Sequence, residues 1–160
     1  MKPISAEQAE RWAESLCSRA EYASGEVRQK LLAKGLTSTV AERIIENLRK
    51  NRFIDDARFA HAFARNKVEY GRWGRKKIAS ALMTKKVDRD IIRDALDDID
   101  PDTYIQAIEG LLEAKLRSMH IDVHSLDYAA KAKLYRLAIS RGFETSAITS
   151  ALDSLKNNTL

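Results

Sequence analysis

A single cysteine, Cys17, stands in this 160-residue chain, so no disulfide can close within it and a reducing compartment is expected. It follows Leu16 on an amphipathic stretch and reads as a small core residue, not a reactive thiol. Two prolines and six glycines leave few places where a helix must break. Long apolar runs are missing as well. Pairs such as Phe59-Ala60 and Ile91-Ile92 fall far short of the roughly 20 residues that a membrane-spanning helix needs, so no membrane association is expected. The stretch Met1-Lys2-Pro3-Ile4-Ser5-Ala6-Glu7 turns polar and acidic at once and lacks the apolar segment of a secretory leader, which points to the cytosol. Neither a glycine-rich phosphate loop nor a Ser-His-Asp or Cys-His set can be assembled, so the chain is expected to be no enzyme and to need no cofactor.

What is present favours helices. Charged residues make up 32% of the chain, above the usual quarter, which suits long solvated helix faces, and 44% are hydrophobic. The net charge of +5 is unevenly spread. Residues 61–93 carry ten Lys or Arg against three Asp or Glu, whereas residues 94–113 carry seven acids and no base. A basic middle of this kind attracts polyanions or acidic protein surfaces.

Helix signals follow one another with short gaps. Ser5 with Gln8 forms a capping box ahead of the stripe Ala9, Trp12, Ala13 and Leu16. Ser24 is placed to cap a second helix with Val27, Leu31 and Leu32 inward, ended by Gly35. Thr39 with Glu42 reads as a further capping box before Ile44, Ile45 and Leu48. Phe53-Ile54-Asp55-Asp56 opens a fourth helix, Asp55 accepting backbone N–H bonds and Asp56 facing the positive helix end, with Arg58 placed to pair with one of them. That assignment leaves the two carboxylates no role in acid/base or metal chemistry. Gly71-Arg72-Trp73-Gly74 then breaks the chain, Lys85-Lys86 turns it, and Asp88 precedes a helix bearing Ile91, Ile92 and Leu96. Asp100-Pro101 marks another start, and a loop is expected from His120 to Ser125 before the last two helices.

These helices repeat. With Leu36, Val87 and Phe143 as origins, Val27, Ile78 and Leu134 lie nine residues before. Leu31, Leu82 and Ala138 lie five before, and Gly35, Lys86 and Gly142 one before. Ile92 and Ile148 follow five after, Leu96 and Leu152 nine after, while the first repeat reaches Ile44 and Leu48 three residues later. The expectation is an all-α protein, an elongated row of three tandem three-helix repeats at residues 1–51, 52–99 (the basic one) and 100–160. With helices of about 14 residues, each spanning roughly 21 Å, such a row is longer than it is thick and suits binding along a groove or filament.

Three stretches carry a resemblance: Ser18-Arg19-Ala20-Glu21-Tyr22-Ala23-Ser24-Gly25-Glu26-Val27-Arg28-Gln29-Lys30-Leu31 with Lys34-Gly35; Phe53-Ile54-Asp55-Asp56-Ala57-Arg58-Phe59-Ala60; and Gly71-Arg72-Trp73-Gly74-Arg75-Lys76-Lys77-Ile78 through Lys85-Lys86-Val87. The chain resembles the RecX family, bacterial regulatory proteins that modulate the RecA recombinase. One departure is Lys86, where the family often places glycine. The resemblance implies a protein that lies in the groove of the RecA–DNA filament and hinders strand exchange, ATP hydrolysis and the co-protease role. It implies a partner rather than a substrate, with only weak binding to single- or double-stranded DNA by the free protein, which is expected to be a monomer.

The residues best placed to make such contacts are Arg65, Lys67, Arg72, Trp73, Arg75, Lys76, Lys77, Lys85, Lys86 and Arg89, with Arg93 beyond them. Clustered cations gain affinity for phosphates by counterion release, and Trp73 is suited to stack on a base or fill a pocket. The competing reading is a solvated helix face with Trp73 as core, but no acid interrupts the run from Arg72 to Val87. A stand-alone helical DNA-binding protein is the rival function. His120, Asp122 and His124 alternate like metal ligands on an extended segment, yet lack a fourth partner nearby and read as loop; His61 reads as a helix-surface residue.

Overall fold

The computed structural model describes residues 4–158, and among these it contains nine α-helices, one 3-10 turn and no strand. Of the stretch read for a leader, Met1, Lys2 and Pro3 lie outside the described residues. In chain order the helices are α1 (Ala6–Arg19), α2 (Ser24–Ala33), α3 (Ser38–Lys50), α4 (Asp56–Glu69), α5 (Arg75–Thr84), α6 (Arg89–Asp97), α7 (Pro101–Met119), α8 (Tyr128–Ser140) and α9 (Thr145–Asn158), with the 3-10 turn at Val123–Ser125. The expected all-helical class holds. Two compact units form, one from Met1–Ala62 with Leu82–Ala95 and the other from Phe63–Ala81 with Leu96–Leu160. Helices α4, α5 and α6 each contribute residues to both.

In the first unit α1, α2 and α3 enclose Ala9, Ala13, Val27, Leu31, Ile45 and Leu48, with Trp12, Cys17, Tyr22 and Leu36 packed around them. Burying a side chain the size of Leu31 or Ile45 contributes about 1.5–3 kcal/mol, far more than the propensity of any one helix. The reciprocal bonds of Ser5 and Gln8 close the start of α1 as expected. Cys17 is half-buried, and burial, followed by the charge of Glu21, pushes its thiol above the ordinary value.

Several local expectations are corrected by tertiary contacts. Ser24 does not cap α2; it is the first helical residue and is buried. Asp56 of α4 supplies that cap from 32 residues away, accepting the Ser24 backbone N–H at 2.7 Å and the Ser24 hydroxyl at 2.5 Å. Thr37 caps α3 in place of Thr39, its hydroxyl accepting from the Val40 N–H at 3.3 Å. Glu42 instead takes the guanidinium of Arg28, whose hydrogen bond holds its carboxyl below the usual range. Arg58 pairs with Glu21 at 3.0 Å and not with either aspartate, although Asp55 accepts the Arg58 backbone N–H at 3.0 Å as expected. Leu32 faces outward because it follows the buried Leu31 by one residue, about 100° round the helix. Ala41 and Ile45, both buried, keep the register of the other repeats, so the three-residue slip read for the first is unnecessary.

The turns at one repeat register share a backbone conformation: Gly35 and Gly142 have φ of 92°, and Lys86, in the same place, has φ of 63°. A left-handed lysine costs roughly 1–2 kcal/mol, partly offset by the greater unfolded-state freedom of glycine. Lys86→Gly should therefore raise the free energy of unfolding in urea by about 0.5–1 kcal/mol. A loss of stability would mean that the lysine stem, which lies against Gly25, outweighs the strain.

In the second unit α7 packs against α8 and α9 around Ile108, Leu112, Leu134, Phe143, Ile148 and Leu152. Asp100 caps α7 with Pro101 first in the helix, and the N–H and hydroxyl of Thr103 hold the Asp100 carboxyl below its ordinary value.

Candidate functional site

The basic block is continuous in sequence but shared between the two units. Arg65, Lys67, Arg72, Trp73, Arg75, Lys76 and Lys77 belong to the second unit, and Lys85, Lys86, Arg89 and Arg93 to the first. Within each unit the side chains have different employments.

Some are structural tethers. Arg72, in left-handed conformation at φ of 52°, donates from its guanidinium to the Gly110 carbonyl of α7 at 3.1 Å. Arg75 opens α5 with its N–H donating to the Tyr104 hydroxyl at 2.9 Å, while its guanidinium pairs with Glu144 at 3.1 Å and lies 4.0 Å from the centre of the Tyr104 ring. Tyr104 in turn donates to Glu144; burial first, then this bond, pushes its phenol well above the usual value. Phe143 completes the knot edge-on to Tyr104 at 5.3 Å. Lys85 in the first unit pairs with Glu26 at 2.9 Å. Arg75 and Lys85 are thus paired with carboxylates, while Arg72 is held by a neutral carbonyl and keeps its charge.

Trp73 is half-buried, between the two expectations for it. Its ring meets Phe63 edge-on at 6.3 Å, and the ammonium groups of Lys67 and Lys77 lie 4.6 and 4.4 Å from its centre. Each such contact gains about 0.5–1 kcal/mol at an accessible site, so the indole holds two cations in place at the edge of the unit. The backbone makes this possible: the Trp73 N–H donates to the Lys67 carbonyl at 3.0 Å, folding the loop back on α4.

The remaining cations are exposed. The side chains of Arg65, Lys76, Lys86 and Arg89 form no ion pair among the described residues, and Arg93 meets only Asp90, one turn away at 3.2 Å and well exposed. Of the block, Arg65 and Lys76, with the two lysines on Trp73, are the cations the second unit leaves to its surface, and Lys86 and Arg89 those of the first. Sequence reasoning missed Glu26, Tyr104, Gly110 and Glu144, which decide which cations are free. No local signal in a single chain pairs residue 75 with residue 144.

The other candidates serve the fold. Asp55 and Asp56 are both helix caps, one for α4 and one for α2. His120 ends α7 at φ of 55°, and the Asp122 carboxylate accepts the His124 N–H at 2.7 Å, shaping the 3-10 turn. With Glu113 and Arg117 these histidines line an open cleft of about 790 Å³. Among the described residues no three His, Cys, Asp or Glu side chains are grouped to hold a metal ion, and no helix is long and apolar enough to cross a membrane. His61 is half-buried on α4.

Comparison with known proteins adds the following. The family model described as RecX, second three-helix domain, matches residues 55–96. Regulatory protein RecX of Clostridium tetani is 31% identical over 134 residues, which are 81% of this chain and 59% of that protein. Its namesake from Clostridium perfringens strain 13 is 30% identical over 133 residues, 83% of this chain and 61% of that protein. The chain thus spans about three fifths of the length of these clostridial relatives. Regulatory protein RecX of Chromohalobacter salexigens is 28% identical over 90% of either chain. The crystal structure of RecX from Lactobacillus salivarius superposes with a TM-score of 0.85, covering 94% of this chain and 96% of that one at 20% identity, which shows a shared fold.

Proposed function

This chain belongs to the RecX family, and from that premise we propose that it is a regulatory protein that docks on RecA assembled on DNA and restrains the recombinase by occupancy, without catalysis of its own. Family membership carries the reading; the exposed, unpaired cations Arg65 and Lys76 and the lysines gathered on Trp73 supply a surface for it. A body seated in the filament excludes the second duplex and competing proteins, and contact with neighbouring protomers hinders their ATP cycle. Such a partner places the protein in the cytoplasm, acting as a monomer.

Co-sedimentation tests this directly. The protein should pellet with RecA on single-stranded DNA far better than with either component alone, and equal retention on naked DNA would replace the proposal with the stand-alone DNA-binding reading. Arg65→Glu with Lys76→Glu should weaken filament binding about tenfold at physiological salt and flatten its salt dependence by roughly 0.7–0.9 per lost phosphate contact. Arg75 is the wrong residue for this experiment, because reversing it sets a carboxylate against Glu144. Undiminished inhibition of strand exchange by the double variant would remove these cations from the contact surface.

A further inference from the structure

Two helices of this chain have their N-termini covered in the same manner. At α2, a Cβ on Gly25 would lie 2.5 Å from the Lys86 Cβ and 2.6 Å from the Lys85 carbonyl oxygen, and Lys85 pairs with Glu26. At α5, the Gly74 N–H donates to the Arg141 carbonyl at 2.7 Å, the Lys76 N–H to the Gly142 carbonyl at 3.1 Å, and Arg75 pairs with Glu144. In each case the cover is a turn whose left-handed residue, Lys86 or Gly142, holds the same repeat register. In each case one ion pair of opposite charges spans the junction.

Helix α8 is the third of this kind, and its N-terminus is closed by its own N-cap, the Asp127 carboxylate accepting the Ala130 N–H at 2.8 Å. Its first residue, Tyr128, is 89% exposed, and Ile139 near its end is 51% exposed. Tyr128, Ala132, Tyr135 and Ile139 are separated by four, three and four residues, which aligns them on a single stripe. Ala130, Leu134 and Ala138, on another side, are the residues α8 buries in its own unit. Ala132 and Tyr135 are half-buried, the Tyr135 hydroxyl sharing a hydrogen bond with that of Thr149 on α9 at 2.7 Å, so the outer stripe is apolar and open at its two ends, Tyr128 and Ile139. Lys131 falls on one flank of it and Arg136 on the other, about 60–80° from its centre at 100° per residue. From Tyr128 to Ser140 the helix contains three cations and no acid.

We propose that this stripe of α8 is the docking surface for an acidic amphipathic helix of a partner protein. Apolar side chains of that helix lie over Tyr128 and Ile139, and its carboxylates face Lys131 and Arg136. At the two covered junctions the chain provides both members of the ion pair, whereas α8 provides only the cation, so the partner must bring the acid. A second copy of the same helix does not fit, because Lys131, Lys133 and Arg136 would then oppose like charges.

The test uses the full-length, isotope-labelled chain and two synthetic helical peptides of about 20 residues. Both carry leucines at three- and four-residue spacing; one is flanked by glutamates, the other by lysines. The acidic peptide should bind in the tens-of-micromolar range, roughly −6 kcal/mol, with amide shifts confined to α8 and the adjoining face of α9, and the basic one at least tenfold more weakly. Lys131→Glu with Arg136→Glu should invert that preference. Tyr128→Ser with Ile139→Ser should abolish binding of the acidic peptide and leave the unfolding midpoint unchanged, since both residues are exposed. The proposal fails if shifts centre on other helices, if both peptides bind equally, or if the acidic peptide gives none at about 1 mM. It fails also if the chain self-associates and the Tyr128 and Ile139 changes dissolve the dimer, which would make a second copy the occupant.

Discussion

Gly74→Ala should cost about 3 kcal/mol of stability, roughly a fifth to three fifths of the margin of a typical domain, and Gly74→Val should prevent the second unit from folding. The new methyl group would overlap the Gly142 carbonyl group and the Phe143 nitrogen. These are backbone atoms, held by the Gly74 N–H bond to Arg141 at 2.7 Å and the Lys76 N–H bond to Gly142 at 3.1 Å, so they cannot swing aside like the end of a side chain. Gly35→Ala is the instructive contrast. That residue has the strained φ of 92° but nothing within 4 Å of the added atom, so only the conformational cost of about 1 kcal/mol is expected. Urea unfolding of the two variants separates close approach from backbone strain. Equal losses would show that the α5 junction yields without difficulty.

Asp56→Ala should cost about 2–3 kcal/mol, because it leaves the Ser24 backbone N–H and hydroxyl without their acceptor inside the first unit. Arg49 reaches the same hydroxyl at 3.3 Å but is itself a donor and cannot replace the carboxylate. Asp56→Asn keeps one acceptor and should lose about half as much. Ser24→Ala removes the hydroxyl alone, and a double-mutant cycle with Asp56→Ala should give a coupling of about 1–2 kcal/mol. Additive effects of the two changes would mean that Asp56 acts without the Ser24 hydroxyl, through the backbone N–H alone. Asp55→Ala, by comparison, exposes one cap bond to water and should be the milder change.

The motif Asp55-Asp56 shows how far local reading carries. Both residues were legible as caps, since a carboxylate beside free N–H groups has few better uses. That Asp56 serves α2 depends on a contact across 32 residues, for which one sequence holds no signal. The basic block shows the same limit at the functional surface. Its composition and its shortage of acids were plain, but its ten cations read as equivalent, and the structure sorts them by partners that lie at Glu26, Gly110 and Glu144.

The sequence by itself determined the helical class, the breaks at Gly35, Gly71-Arg72-Trp73-Gly74, Lys85-Lys86, Asp100-Pro101 and Gly142, the repeat register, and the family resemblance. It did so because helix periodicity, proline and glycine geometry and capping act over a few residues. Only tertiary structure decided that Arg75 is a strut while Arg65 and Lys76 remain exposed, that Ser24 is capped from α4, and that α8 leaves Tyr128 and Ile139 exposed. Those outcomes depend on which helix ends meet, and close approach across dozens of residues is set by the packing of whole faces, not by any local pattern.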